Sequence, residues 1–172
     1  MIIVNTGNGK GKTTAALGQC LRAVGEKKKT IMIQFIKGPF KSGEDTSQER
    51  LAPDFSLIKG GIGFVGILGD QHTLEEHQEA AKKTWALCKD VVTKGKHDLV
   101  AIDEINNAMH LKLIDEKEVE KFLKEYKGET DIILTGRGAP EWLIEKADLV
   151  TEMKDVKHPY DTGTQAKKGI EF

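Results

Sequence analysis

The segment Gly7–Thr14, GNGKGKTT, follows the apolar run Ile2-Ile3-Val4 and precedes a stretch carrying Ala15, Ala16, Leu21 and Ala23, all good helix formers. Strand, glycine-rich loop and helix, in that order, constrain the chain more than any other feature. They fit the phosphate-binding signature G-x-x-x-x-G-K-[ST], in which successive backbone N–H groups encircle phosphate oxygens. The helix that follows adds the positive end of its dipole. A lysine reaches the phosphates and a hydroxyl ligates Mg²⁺. Gly11-Lys12-Thr13 supplies the end of the pattern. Its first glycine would fall at position 6, which is Thr6, and Gly7 comes one place later, so the loop reads G-x-x-x-G-K-T. A shortened loop can grip phosphates in a different register. Gly7, Asn8, Gly9, Lys10, Gly11, Lys12, Thr13 and Thr14 are the expected cradle for the phosphates of ATP with Mg²⁺, the Lys12 side chain facing solvent when no nucleotide is bound. A glycine-rich turn that merely contains GKT is the weaker reading, because the flanking strand and helix agree with the motif.

Short apolar runs alternate with helical patterns along the rest of the chain. After the helix expected over Lys12–Val24, strands are predicted at Thr30–Ile36, Phe55–Ile58, Leu99–Asp103, Ile132–Thr135 and Leu149–Glu152. Strands interleaved with helices predict an α/β fold, a P-loop (RecA-like) three-layer architecture with a mainly parallel central sheet. Thr73 and Glu76 form a capping box. Behind it Leu74, Ala81, Trp85, Cys88 and Val92 fall on one helical face. Asp115 with Glu118 repeats the cap, Val119, Phe122, Leu123 and Tyr126 make the stripe, and Gly128 follows as a stop signal. Pro140 suits the first turn of a helix carrying Trp142 and Leu143. Trp85, Tyr126 and Trp142 read as core residues.

An acidic group at the end of a neighbouring buried strand completes sites of this kind. Asp103-Glu104, after Leu99-Val100-Ala101-Ile102, stands in that position and can hold Mg²⁺ directly or through water. The pair could instead cap the segment that follows it, although two acids closing an apolar strand favour the metal. Arg137, in Thr135-Gly136-Arg137-Gly138, falls at the same carboxyl edge, where ligands of open parallel sheets bind. A surface arginine in a turn is the competing reading. Gly60–Gly66, GGIGFVG, is too glycine-rich for a regular element and too apolar for a plain surface loop. It reads as a mobile loop closing on a ligand or as an irregular connection with buried side chains.

Composition sets the limits. The 172 residues, 38% hydrophobic and 31% charged, point to one domain over 1–172. With 26 basic and 27 acidic residues, net charge −1, nothing favours nucleic acid as a partner. Lys27-Lys28-Lys29 reads as a solvated turn. No apolar run approaches the ~20 residues of a membrane helix, and there is no signal-peptide pattern. Cys20 and Cys88 lie far apart on predicted helices, so the expectation is a cytoplasmic protein with reduced, buried thiols. His72 and His77, five apart, would lie ~140° apart on a helix, which is wrong for a zinc site. His97 and His110 have no partners in sequence.

Residue patterns alone stop at a P-loop protein that uses Mg·ATP, with a P-loop ATPase or small-molecule kinase as an open alternative. GNGKGKTTAALG at 7–18, Leu21–Gly25, Gln34-Phe35-Ile36-Lys37-Gly38, Asp103-Glu104, Thr135–Gly138, Ala147–Val150, the tail Lys157-His158-Pro159-Tyr160-Asp161 and the final Gly169-Ile170-Glu171-Phe172 carry the sequence further. Together they resemble the P-loop type ATP:corrinoid adenosyltransferases of cobalamin biosynthesis, over nearly the whole chain and including the shortened loop. The resemblance implies that a Co(I) corrinoid attacks the 5′ carbon of ATP and tripolyphosphate leaves. It implies ATP and a corrinoid as substrates, Mg²⁺ as cofactor, a reductant for the Co(II) corrinoid, and a homodimer. Gly7–Thr14 would bind triphosphate, Lys12 and Arg137 would act at the nucleotide, and Thr13 with Glu104 would hold Mg²⁺, Asp103 being the weaker metal candidate. Phe64 matches an aromatic of the family's corrinoid-facing loop that helps displace the lower axial ligand of cobalt. A second aromatic two residues on is replaced by Gly66. His158 would line the site or make a structural tail contact. Relatives often carry an N-terminal segment folded over the site, whereas this sequence starts on its first strand. That implies a corrinoid side that is more open or covered by a partner subunit.

Overall fold

The computed structural model describes residues 1–38, 41–67, 69–159 and 163–171. Its elements are β1 (Ile2–Thr6), α1 (Lys12–Gly25), β2 (Thr30–Gln34), α2 (Gly43–Leu51), β3 (Phe55–Lys59), α3 (Leu74–Lys94), β4 (Leu99–Asp103), α4 (Ile105–His110), α5 (Glu116–Glu125), β5 (Asp131–Thr135), α6 (Glu141–Lys146) and β6 (Leu149–Glu152), with α2 a helix that the sequence patterns do not predict. The strands form one six-stranded sheet in the order β3-β2-β4-β5-β1-β6, and every pairing is parallel.

Side chains that alternate across the pleat feed two cores. On one face Ile31, Ile33, Val100, Ile102, Ile132 and Leu134 pack with Trp85 and Cys88 of α3, Val119 and Leu123 of α5, and Leu143 of α6. On the other, Met32, Ala101 and Ile133 meet Ala16, Cys20 and Ala23 of α1. The small side chains of α1 let that helix lie close against the middle of the sheet. Strands covered on both faces become near-continuous apolar runs, which is why β2, β4 and β5 stand out in the sequence. Both cysteines are buried free thiols, and burial pushes Cys20 up to about 12 and Cys88 higher still.

Several local expectations change. The second strand ends at Gln34, not Ile36. Leu74 is 47% exposed, because it opens α3 at the end that projects beyond the core, while Ala81, Trp85, Cys88 and Val92 are buried as expected. Asp115 caps α5 by accepting from Lys117 N at 3.0 Å, and Glu118 pairs with Lys89 instead of completing a box. Helix α5 ends at Glu125 with Tyr126 as its cap, two residues before Gly128. Tyr126 and Trp142 are half-buried at the margin of the core. Pro140 is the cap residue before α6, not within its first turn. His72 precedes α3, so helical spacing does not apply to it; its ring meets His77 edge-to-face at 5.7 Å. Among the described residues no helix is long and apolar enough to cross a membrane.

Candidate active site at the carboxyl edge of the sheet

The glycine loop runs from the end of β1 to the start of α1. Gly7 has φ +95°, and a β-carbon there would stand 2.4 Å from Met153 O. One at Gly9 would stand 2.5 Å from Lys154 O. Gly9 N donates to Met153 O at 2.7 Å. These glycines are therefore required by the close approach of the chain after β6. Lys12, expected to face solvent, is only 8% exposed and folds back over the loop. Its Nζ donates to Gly7 O at 2.8 Å and Gly9 O at 2.7 Å. Burial lowers its pKa; Glu104 and Asp103 oppose that, and Arg137 adds to it. Thr14 Oγ1 donates to Gly11 O at 3.0 Å.

Asp103, fully buried at the end of β4, ties three strands and α1 together. Its Oδ1 accepts from Thr13 Oγ1 at 2.9 Å and from Thr135 Oγ1 at 2.6 Å. Its Oδ2 accepts from Gln34 Nε2 at 3.1 Å. Glu104, the next residue, has φ +64°, an uncommon backbone for a residue with a side chain. Its N–H donates to Thr135 Oγ1 at 2.9 Å, and its side chain does not cap α4. That weighs against a purely capping role for the acidic pair. Glu104 Oε2 is buried with no hydrogen-bond partner among the described residues. Burial first, and the charge of Asp103 second, raise the Glu104 carboxyl to about 7 against the opposing pull of Lys12, Lys37 and Arg137. Glu104 thus presents a buried carboxyl oxygen whose bonding capacity no described residue meets, in the field of Lys12, Lys37 and Arg137.

Glu104 lines a cleft of about 310 Å³ with Lys12, Thr13, Lys37, Glu44 and Glu171. Lys37 Nζ and Glu44 Oε1 form a 2.9 Å ion pair in its far wall. Burial opposes ionisation of Glu44, yet Lys37, its own N–H and Ser42 together hold its carboxyl below the usual range. A second cleft, about 350 Å³, lies across the loop between Asn8, Lys12, Arg137, Asp155 and His158. The exposed Arg137 is thereby brought to the loop, and α4 sets its turn. Arg137 N donates to Asn107 Oδ1 at 2.7 Å, and the buried Asn106 donates to Gly136 O at 3.1 Å.

The sequence profile described as ATP:corrinoid adenosyltransferase BtuR/CobO/CobP matches residues 1–172. The chain belongs to this family. It is 41% identical to a corrinoid adenosyltransferase of a Sinorhizobium species, over all of this chain and 80% of the relative. Identity is 36% to that of Escherichia coli strain K12 and 34% to the corrinoid adenosyltransferase CobA of Salmonella typhimurium strain LT2. Each of these matches covers the whole chain and 85% of the relative.

Other parts of the family pattern lie away from the loop. Phe64 is half-buried and packs with Val65 against the core, in neither cleft. The first half of its loop is pinned, since Gly60 N and Gly61 N both donate to Gln34 O. Gly66 has φ +69°, and its N–H donates to Asp70 Oδ2 at 2.8 Å. His77 Nε2 lies 2.9 Å from the same oxygen. The stretch is irregular, hydrogen-bonded at both ends, with Phe64 and Val65 packed against the core between them. Tyr160, Asp161 and Phe172 of the family-like tail lie outside the described residues. Gln34 and Lys37 belong to the family-like stretch 34–38, which by itself gives them no role, and Glu44 lies on α2, a helix with no buried residue. The Ser42-x-x-Asp45 cap, in which Asp45 Oδ2 accepts from Ser42 N at 2.7 Å, was the signal for α2.

Proposed function

We propose that the chain transfers the 5′-deoxyadenosyl group of ATP to the Co(I) centre of a corrinoid and releases tripolyphosphate. The observation that carries this reading is the convergence of Lys12, Thr13 and the unpartnered Glu104 oxygen in one cleft of a chain belonging to this family. Cobalt, part of the substrate, supplies the nucleophile. A cobalt–carbon bond forms as the bond from the 5′ carbon to the α-phosphate oxygen breaks, and the electron pair leaves with tripolyphosphate. No side chain need act as nucleophile or general base.

The protein's task is then to orient the 5′ carbon and to stabilise charge on the leaving chain of phosphates. The loop amides of Gly7–Thr14 and the Lys12 ammonium serve the second task. Binding requires Lys12 Nζ to exchange two carbonyl acceptors for phosphate oxygens. Arg137 acts on the nucleotide from the other side of the loop. Thr13 and Glu104 would hold Mg²⁺, and Asp103 orients Thr13. Among the described residues no cluster of three or more His, Cys, Asp or Glu side chains could hold a metal. A Mg²⁺ there would take one carboxylate, one hydroxyl, waters and substrate phosphates. When bound, the ion neutralises developing charge on the leaving group. Phe64 acts at the corrinoid, and an external reductant delivers the electron that makes Co(I). The working form is a homodimer.

The test is an anaerobic assay with Mg·ATP and chemically reduced Co(I) cobalamin. Loss of the Co(I) absorbance with adenosylcobalamin and tripolyphosphate formed in equal amounts is expected. Release of ADP or orthophosphate without alkylation of cobalt would replace this reading with an ATPase or kinase.

A further inference from the structure

Gln34 closes β2, a strand otherwise made of Thr30, Ile31, Met32 and Ile33 and covered on both faces. It is fully buried, and its register partner on β4 is Asp103. A polar side chain in such a place is unfavourable unless it is hydrogen-bonded. Gln34 is only half satisfied. Its Nε2 donates to Asp103 Oδ2 at 3.1 Å and reaches Glu44 Oε1 at 3.5 Å. Its Oε1 is buried without a partner among the described residues. Two carboxylates facing one end of the amide fix which end is nitrogen, since only the NH₂ group can donate to them. The amide is therefore kept for its N–H side, despite an acceptor left unmet.

We propose that Gln34 is a positioning residue that locks the Asp103 carboxylate, and through it the Thr13 hydroxyl, in the orientation that receives the metal of the bound nucleotide. The proposal rests on the assignment of Thr13 and Glu104 to Mg²⁺ made above. Asp103 Oδ1 is taken by Thr13 and Thr135, so rotation of the carboxylate is checked at Oδ2 by Gln34. The glutamine is itself held at its backbone, where its carbonyl accepts from Gly60 N and Gly61 N. Its second contact, Glu44, is paired with Lys37 in the far wall of the cleft. Supporting groups of this kind tune a metal site through the ligands they orient.

The experiment is equilibrium binding of ATP to the full chain across a Mg²⁺ titration, for wild type, Gln34→Met and Gln34→Leu, with thermal unfolding of each. Both variants remove the N–H donor and also the orphaned acceptor. The Mg²⁺ concentration for half-maximal ATP binding should rise about tenfold or more in both. ATP affinity without Mg²⁺ should stay within twofold of wild type, and turnover should fall with the metal requirement. A metal requirement within twofold of wild type in either folded variant would overturn the role of Gln34. So would an equal loss of affinity with and without Mg²⁺. Wild-type binding that ignored Mg²⁺ would instead overturn the cation assignment on which the proposal stands.

Discussion

Thr13 Oγ1 donates to Asp103 Oδ1 across 2.9 Å, joining the first turn of α1 to the end of β4 although β5 lies between β4 and β1 in the sheet. The bridge is possible because β5 ends in Thr135, short enough to add its own hydroxyl to the same oxygen. With its proton committed to Asp103, the Thr13 hydroxyl keeps its lone pairs for another ligand.

Asp103→Asn tests this junction. An asparagine can place its oxygen towards Thr13 and Thr135, but its NH₂ then faces Gln34 Nε2, donor against donor. A buried mismatch of that kind costs about 1–3 kcal/mol. Urea denaturation should show a loss of that size, with weaker Mg·ATP binding. A variant as stable as wild type and with unchanged binding would mean that Asp103 does not organise the site.

Lys12→Ala should cut adenosyl transfer by about 10²–10³-fold, the scale seen when one donor to a developing charge is removed. Among the described residues the ammonium bonds to Gly7 O and Gly9 O alone, so its loss should cost no more than about 1–3 kcal/mol, from two ordinary hydrogen bonds. Circular dichroism should be unchanged. Turnover equal to wild type would remove the loop from the mechanism.

What the sequence disclosed, and what it hid, follows from the range of the interactions. β2, β4 and β5 were legible because strands buried on both faces need apolar runs, and the phosphate loop because its parts are adjacent in the chain. α2 was hidden because none of its residues is buried, so no apolar stripe marks it. Glu44 was lost with it. The part played by Gln34 depends on Asp103, 69 positions away, and no local pattern encodes that pairing. Lys12 was misplaced for a related reason. Its two acceptors are loop carbonyls whose direction is set by backbone conformation, not by residue type.

Acid should release the connection before α3. The N–H groups of Gly66 and His72 outweigh the effect of burial and, with His77, hold the Asp70 carboxyl down at about 2, below its ordinary 3.8. A carboxylate whose folded pKa is depressed contributes stability that is complete above its unfolded pKa and is lost as pH falls through the folded one. The contribution should therefore be full above about pH 4 and fade towards pH 2. Asp70→Asn should flatten that part of the stability profile, and proteolysis near residues 66–73 should increase. An identical acid limb in the variant would show that the clamp contributes nothing.

Installing the missing aromatic by Gly66→Trp should destabilise the chain by about 1–2 kcal/mol, since φ +69° is unfavourable for a residue with a β-carbon. If the backbone shifts to relieve this, the Gly66 N–H leaves Asp70. A thermal midpoint equal to wild type would mean that the connection rearranges freely.

Phe64→Ala separates packing from chemistry. The ring packs against the core with Val65, so its removal should cost some stability, roughly 1–3 kcal/mol for a half-buried aromatic. Were packing its whole role, transfer would fall equally whichever cobalt state is supplied. If instead the ring acts where the lower ligand of cobalt is displaced, its loss matters for reduction and not for alkylation. Turnover from Co(II) corrinoid with a reductant should then fall at least about tenfold, a barrier change of ~1.4 kcal/mol. Turnover from chemically pre-reduced Co(I) should fall by no more than about twofold. Equal losses in the two assays would return Phe64 to the core and leave the displacement to other residues.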